Sequence, residues 1–200
     1  MATVIDIGDA LQHGAATLRL PQMTPEEFWE FCQRNPELNV ERNAEGDLIF
    51  YSPTGGGTGS RNIRISRYLD EWAENDGGGT AFNSSTLFVL PNGATRSPDA
   101  AWVRNDRWNA LTLDEQERPA PICPDFVVEL MSPSDTLAAT QAKMDEYLAN
   151  GVRLGWLIDR KNKRIYVYRP GQHVDELTDP ASVSGDPELP GFVLHLARIF

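Results

Sequence analysis

The segment Pro124-Asp125-Phe126-Val127-Val128-Glu129-Leu130-Met131 constrains the fold most, because it is a short apolar run with a carboxylate inside it. Its length suits a strand. Ser132-Pro133-Ser134-Asp135 then breaks the run and caps a helix predicted over 136–150, closed by Gly151. A strand, a sharp break and a returning helix make a unit of a layered α/β protein. Burying a carboxylate without a partner costs several kcal/mol, so Glu129 is a candidate for chemistry. Alternation sets Asp125, Val127, Glu129 and Met131 on one face and Phe126, Val128 and Leu130 on the other. Asp125 and Glu129 share a face but stand roughly 13 Å apart at about 3.3 Å per residue. One ion cannot bind both directly, which leaves Asp125 a supporting role.

The rest of the chain supplies further layers. Thr24-Pro25-Glu26-Glu27 combines an N-cap, a proline at the first helical position and a capping-box glutamate, predicting a helix over 25–34 before Pro36. Residues 40–42 and 48–51 read as a hairpin turning at Ala44-Glu45-Gly46. A glycine-rich loop at 52–60 precedes an amphipathic helix at 61–75, where Ile65, Tyr68, Leu69 and Trp72 recur at helical spacing. Strands are predicted at 86–90, 100–103, 126–131, 154–158 and 164–168, with a final one within 189–200. A charged, proline-bearing loop spans 105–124. The expectation is an α/β (α+β) protein with a mixed central sheet flanked by helices, carrying an N-terminal helix and β-hairpin. Residues 1–22 read as an N-terminal extension and 23–200 as a single domain, without internal repeat or linker.

Asp99, in Ser97-Pro98-Asp99-Ala100, stands at the start of a strand. If that strand pairs beside 126–131, Asp99 and Glu129 meet, and two carboxylates with a few waters can hold Mg²⁺ next to a phosphate. Lys143 lies fourteen residues after Glu129. Seven helical residues return about 10 Å, and Glu129 sits about 7–10 Å below the turn. Lys143 therefore reaches the height of Glu129, beside the Leu137, Met144 and Leu148 stripe, and its ammonium could polarise a phosphate. Gln141 falls on the same stripe and is expected to support the site. Each residue also has an ordinary reading. Glu129 would pair with a core arginine, Asp99 would cap a turn, and Lys143 would bridge to Glu146 at the surface.

Charge cuts the other way. The net charge is −11, whereas nucleic-acid affinity comes largely from neutralising phosphates. The distribution is uneven, however: 153–169 carries Arg153, Arg160, Lys161, Lys163, Arg164 and Arg169. The glycine loop could cradle phosphate at a helix N-terminus, with Gly56, Arg61 and Arg64 touching a nucleic-acid backbone. The alternative is a flexible connection with solvated arginines. The loop lacks the Lys-Ser/Thr ending of a nucleotide P-loop. No apolar run can span a membrane, and the N-terminus lacks the basic-then-apolar layout of a signal peptide. Cys32 and Cys123 show no ligand spacing, so the cytoplasm is the expected compartment. His13, His173 and His195 are scattered, and no GxSxG motif supports covalent hydrolysis. Trp102, Trp108 and Trp156 could stack on bases, although a strand tryptophan such as Trp156 is more often core.

These segments together resemble the Uma-two family of restriction endonucleases, within the PD-(D/E)XK nuclease superfamily. The marks are Met23-Thr24-Pro25-Glu26-Glu27-Phe28, Ser52-Pro53-Thr54-Gly55-Gly56, Ser97-Pro98-Asp99, Pro124 through Pro133, Lys143-Met144 with Glu146-Tyr147-Leu148, Asn150-Gly151-Val152, Trp156-Leu157-Ile158-Asp159 and Leu189-Pro190-Gly191. The resemblance implies a restriction-endonuclease-like sheet, Mg²⁺ (or Mn²⁺) as cofactor and DNA as substrate. It carries the two metal-binding acids onto Asp99 and Glu129. The superfamily's lysine two residues after the second acid is Met131 here, and the resemblance moves that role to Lys143. Many relatives also carry an acid in the glycine loop, where this chain has Gly57. Glu71 and Glu74 lie too far along the helix to replace it.

The leading expectation is thus a Mg²⁺-dependent endodeoxyribonuclease, acting as a homodimer because cutting two strands wants two sites. The other reading is a weakened or inactive nuclease-fold module that binds nucleic acid or a protein partner. A carboxylate pair for glycoside hydrolysis would leave Lys143 without a role.

Overall fold

The computed structural model describes residues 15–18 and 23–200. The first helix, α1 (Pro25–Arg34), begins at the expected capping box: Thr24 accepts from the Glu27 amide and the Glu27 carboxylate accepts from the Thr24 amide. It packs Phe28 on a hairpin, β2 (Asn39–Arg42) and β3 (Leu48–Tyr51), whose turn places Gly46 at φ 89°, a backbone region open to glycine. Alternation divides this hairpin in two. Val40, Leu48 and Phe50 join Phe28 in a small core, whereas Glu41, Ile49 and Tyr51 line a cleft on the other face. Residues 15–18, expected in an extension, instead form β1 (Ala15–Leu18), antiparallel to β3.

The glycine-rich segment is largely helical. The long helix α2 spans Gly56–Asp76, a turn and more earlier than its apolar periodicity predicts, because glycines give no hydrophobic signal. Beyond it run β4 (Gly79–Asn83), β5 (Phe88–Val89), β6 (Thr95–Arg96) and β7 (Ala100–Arg104). The charged loop holds two single-turn helices, α3 (Asn105–Trp108) and α4 (Leu113–Gln116). Then follow β8 (Phe126–Leu130), α5 (Leu137–Ala149), β9 (Leu154–Asp159), β10 (Arg164–Tyr168), β11 (Asp175–Thr178), β12 (Ser182–Ser184) and β13 (Val193–His195). The predicted last strand is only the short β13. Strands β4, β6, β11 and β12 were outside the expectation, being short or rich in glycine, serine and charge.

The central sheet has six strands in the order β11-β10-β9-β8-β7-β4. Only β8 and β9 pair in parallel, joined through α5, and the other neighbours are antiparallel, so the sheet is mixed as expected. Helix α2 covers one face with Ile65, Leu69 and Ala73 against Phe126, Val128 and Trp156. On the other face, Met144 and Tyr147 of α5 pack among Val127, Leu157 and Tyr168. Gly155 lets α5 come close: a Cβ there would run into the Met144 side chain and lie 3.5 Å from Val127 Cγ2. A second sheet, β1-β3-β2-β6-β5, brings the hairpin over the end of the first. Among the described residues no helix is long and apolar enough to cross a membrane.

Candidate active site

A cleft of about 820 Å³ opens between the hairpin, the N-terminus of α2, the ends of β7 and β8, and α5. Asp99, Glu129 and Lys143 all line it. The register Ala100↔Val128, continued by one pair, sets Asp99 opposite Glu129. Asp99 Oδ2 accepts from the Leu130 amide at 2.7 Å, which pins the carboxylate to the neighbouring strand. Lys143 arrives from α5 at the same height, with Nζ 2.8 Å from Glu129 Oε1. The helical rise and the strand rise match, so the ammonium meets the carboxylate rather than pairing with Glu146.

A third acid completes the floor, and the sequence reading missed it. Glu41 of β2 is 2% exposed and places Oε1 2.8 Å from Lys143 Nζ. Its other oxygen accepts from Tyr51 Oη at 2.9 Å and pairs with Arg96 at 3.1 Å, while the Ser97 amide donates to Oε1 at 2.9 Å. Arg96 is itself shared with Glu146 of α5. Its strand, Asn39-Val40-Glu41-Arg42, has one apolar residue and so carries little sign that Glu41 is buried. Nothing in the linear spacing linked it to residues far downstream. Tyr147 joins from α5, donating to Glu129 Oε1 at 3.0 Å.

Burial dominates the electrostatics, and the partners decide which groups carry charge. For Lys143, burial favours the neutral amine, but Glu129 and Glu41 outweigh it and hold the ammonium well above its ordinary range. Burial also opposes ionisation of Glu41, yet Lys143 and Arg96 keep it below the usual carboxylate value. Glu129 goes the other way. Burial pushes it up to about 7, Lys143 pulls it back in part, and Asp99 and Glu41 add to the rise. Asp99 is raised by desolvation, against the Leu130 amide, Lys143 and Asn62.

Asn62 of α2 was also missed. Its Nδ2 donates to Asp99 Oδ1 at 2.6 Å, whereas its Oδ1 is buried without a hydrogen-bond partner among the described residues. Asp99, Glu129 and Asn62 together present oxygen donors alone, the chemistry that suits Mg²⁺ or Mn²⁺. The Asn62 amide oxygen, buried without a donor among the described residues, is the polar atom of this set that has room for a further partner. Among the described residues no group of three or more His, Cys, Asp or Glu side chains is placed to hold a metal.

Several expected supporting residues lie elsewhere. Asp125 is at the far end of β8, where it pairs with Arg107 at 2.9 Å and accepts from the Arg104 amide. It anchors a loop and does not line the cleft, because the four-residue offset from Glu129 spans most of the strand. Gln141 turns to Tyr168 and does not line the cleft either. Arg61 is tied to Gly57 O and Ile199 O, and Arg64 is not in the cleft wall. Gly56 is. Trp102 and Trp156 are buried, and Trp156 stacks on Phe192. Trp108 packs edge-on against Phe82. The basic stretch 153–169 is partly neutralised, through Lys163–Asp179, Arg164–Glu176 and Arg169–Glu188. Arg160, by contrast, lines the cleft without an ion-pair partner among the described residues.

Residues 25–197 match the model of a protein family, Uma2, described as "Putative restriction endonuclease". Among solved structures, the chain is similar to the crystal structure of a "putative nuclease belonging to DUF820" from Anabaena variabilis, with a TM-score of 0.72 at 20% identity, covering 89% of this chain and 97% of that one. That likeness shows a shared fold. No curated protein matches the sequence.

Proposed function

The chain belongs to the Uma2 family, and we propose that it is a nuclease that hydrolyses phosphodiester bonds of DNA with Mg²⁺ or Mn²⁺. The observation that carries this reading is the Lys143 ammonium held between Glu41 and Glu129, with Asp99 opposite Glu129, on the floor of an open cleft. Asp99 and Glu129 would hold the ion, which when bound supplies charge neutralisation at the phosphate and a more acidic water. Glu41 adds a third carboxylate to the site as the anchor of Lys143.

The chain's own residues prepare this chemistry in two ways. Lys143 is fixed before substrate arrives: an ammonium has three protons, two of which meet Glu41 and Glu129. The third is available to a phosphate oxygen, where a preorganised cation stabilises charge developing in the transition state. Tyr51 and Tyr147 stiffen the frame by bonding to those two carboxylates. Substrate phosphates would then meet Arg160 and the amides at the start of α2, where the N-cap Gly55 offers no side-chain acceptor. A second copy would serve the opposite strand, which makes a homodimer the matching assembly, and the cytoplasm is the compartment that offers DNA to it.

Supercoiled plasmid tests the proposal. The purified protein should nick it in Mg²⁺ or Mn²⁺, and Glu129→Ala and Lys143→Ala should each abolish nicking. Nicking that persists in both variants would refute this assignment of the site.

A further inference from the structure

We infer that Asn62 is the third protein ligand of the divalent ion, its Oδ1 binding beside Asp99; this rests on the metal-dependent reading above. Asn62 is 9% exposed and lines the cleft. Its amide is half used: Nδ2 donates to Asp99 Oδ1 at 2.6 Å, and Oδ1 meets no donor among the described residues. A buried carbonyl oxygen without a donor is costly, so the arrangement asks for something that accepts electron pairs at that point. The hydrogen bond to Asp99 also fixes which way the amide faces. With Nδ2 committed to the carboxylate, Oδ1 is turned to the remaining side.

The candidates to fill that position are few. The nearby cations point elsewhere: Lys143 pairs with Glu41 and Glu129, and Arg96 with Glu41 and Glu146, and neither donates to Asn62 Oδ1. The first turn of α2 carries no acid, and Gly57 has no side chain to offer. Asn62, five residues further along the helix, is the α2 side chain that reaches Asp99. An amide oxygen is a hard donor of the kind Mg²⁺ and Mn²⁺ accept alongside carboxylates and water. Because it is neutral, it adds a ligand without adding a third negative charge to Asp99 and Glu129. The ion is therefore held less tightly than an all-carboxylate set would hold it.

Terbium luminescence on the full chain tests this, with Tb³⁺ as a hard, oxygen-preferring probe. Lifetimes in H₂O and D₂O count the waters on the bound ion. Asn62→Ala should weaken Tb³⁺ and Mn²⁺ binding roughly ten-fold or more and add one water to bound Tb³⁺. Asn62→Asp should bind more tightly than the wild type with the wild-type water count, although it cannot donate to Asp99. Circular dichroism melts check that both variants fold, and if Asn62→Ala does not, Asn62→Asp and Asn62→Ser carry the comparison. An unchanged water count in Asn62→Ala, with both variants weakened, would overturn the inference and leave Asn62 orienting Asp99 alone. A wild-type protein that takes up neither Tb³⁺ nor Mn²⁺ would overturn the metal-dependent reading itself.

Discussion

Lys143 Nζ lies 2.8 Å from Glu41 Oε1, although 102 residues separate them. The contact joins α5 to the N-terminal hairpin and makes that hairpin part of the site's floor. Both partners are almost fully enclosed, so the pair is a desolvated one whose loss exposes its members to a low-dielectric interior.

Lys143→Ala leaves Glu41 and Glu129 facing each other without their shared cation. Removing one member of a buried ion pair costs about 3–5 kcal/mol, and urea denaturation of the metal-free protein should show a loss of that order. Lys143→Arg should recover most of the stability but less of the activity, because a planar guanidinium cannot place a point charge between two carboxylates.

Glu41→Gln keeps the shape of the side chain and removes its charge. Lys143 then has one anionic anchor, and strand cleavage should fall by about ten- to a hundred-fold, as expected when a preorganised catalytic group is loosened. Binding of Mn²⁺, followed by calorimetry, should change much less. A variant with full activity would show that the hairpin has no part in catalysis.

Glu129 gives the metal-free protein a pH dependence of definite sign. Its folded value, about 7, lies above the ordinary 4.5, so the folded state binds this proton more tightly than the unfolded chain does. That contribution to stability is fully present below the unfolded value and is lost as pH rises through about 7. Thermal melts between about pH 5 and about pH 8 should therefore fall more in the wild type than in Glu129→Gln. Divalent cations, which compete with that proton, should bind more tightly as pH rises over the same range.

Arg160 separates binding from chemistry. As a cleft cation without an ion-pair partner among the described residues, it should contribute about one phosphate contact. Arg160→Ala should reduce the slope of log binding constant against log salt by about 1. Affinity should drop alike for all DNA sequences, while the metal affinity stays unchanged.

Asp125→Ala provides the contrast. It leaves Arg107 without its partner and the Arg104 amide without an acceptor, a loss of about 1–3 kcal/mol. Metal affinity and cleavage by the folded fraction should remain those of the wild type.

What the sequence revealed was governed by local period. The strand around Glu129, its helix and the capping box of α1 each announce themselves within a dozen residues, and the matched rises of strand and helix put Lys143 beside Glu129. Asp99 was legible once its strand was assumed to pair beside β8. Glu41 and Asn62 were not, because their relevance arises from long-range packing of the hairpin and α2 onto the sheet end. Asp125 and Gln141 were misplaced for a related reason: a shared strand face or helix stripe says which layer a residue joins, not how far along that layer the site lies. Helix α2 was predicted too short because Gly56 through Ser60 carry no apolar pattern, although their amides continue the helix to the cleft.

The central claim is that Asp99, Glu129 and Lys143 act together on a phosphodiester bond. Its most direct test is the single-turnover rate of strand scission on a short DNA duplex in Mn²⁺, compared among the wild type, Asp99→Asn, Glu129→Gln and Lys143→Ala. The account predicts cleavage by the wild type that chelation of the metal stops, and loss of cleavage in each of the three folded variants. Cleavage at the wild-type rate in any one of them would contradict it.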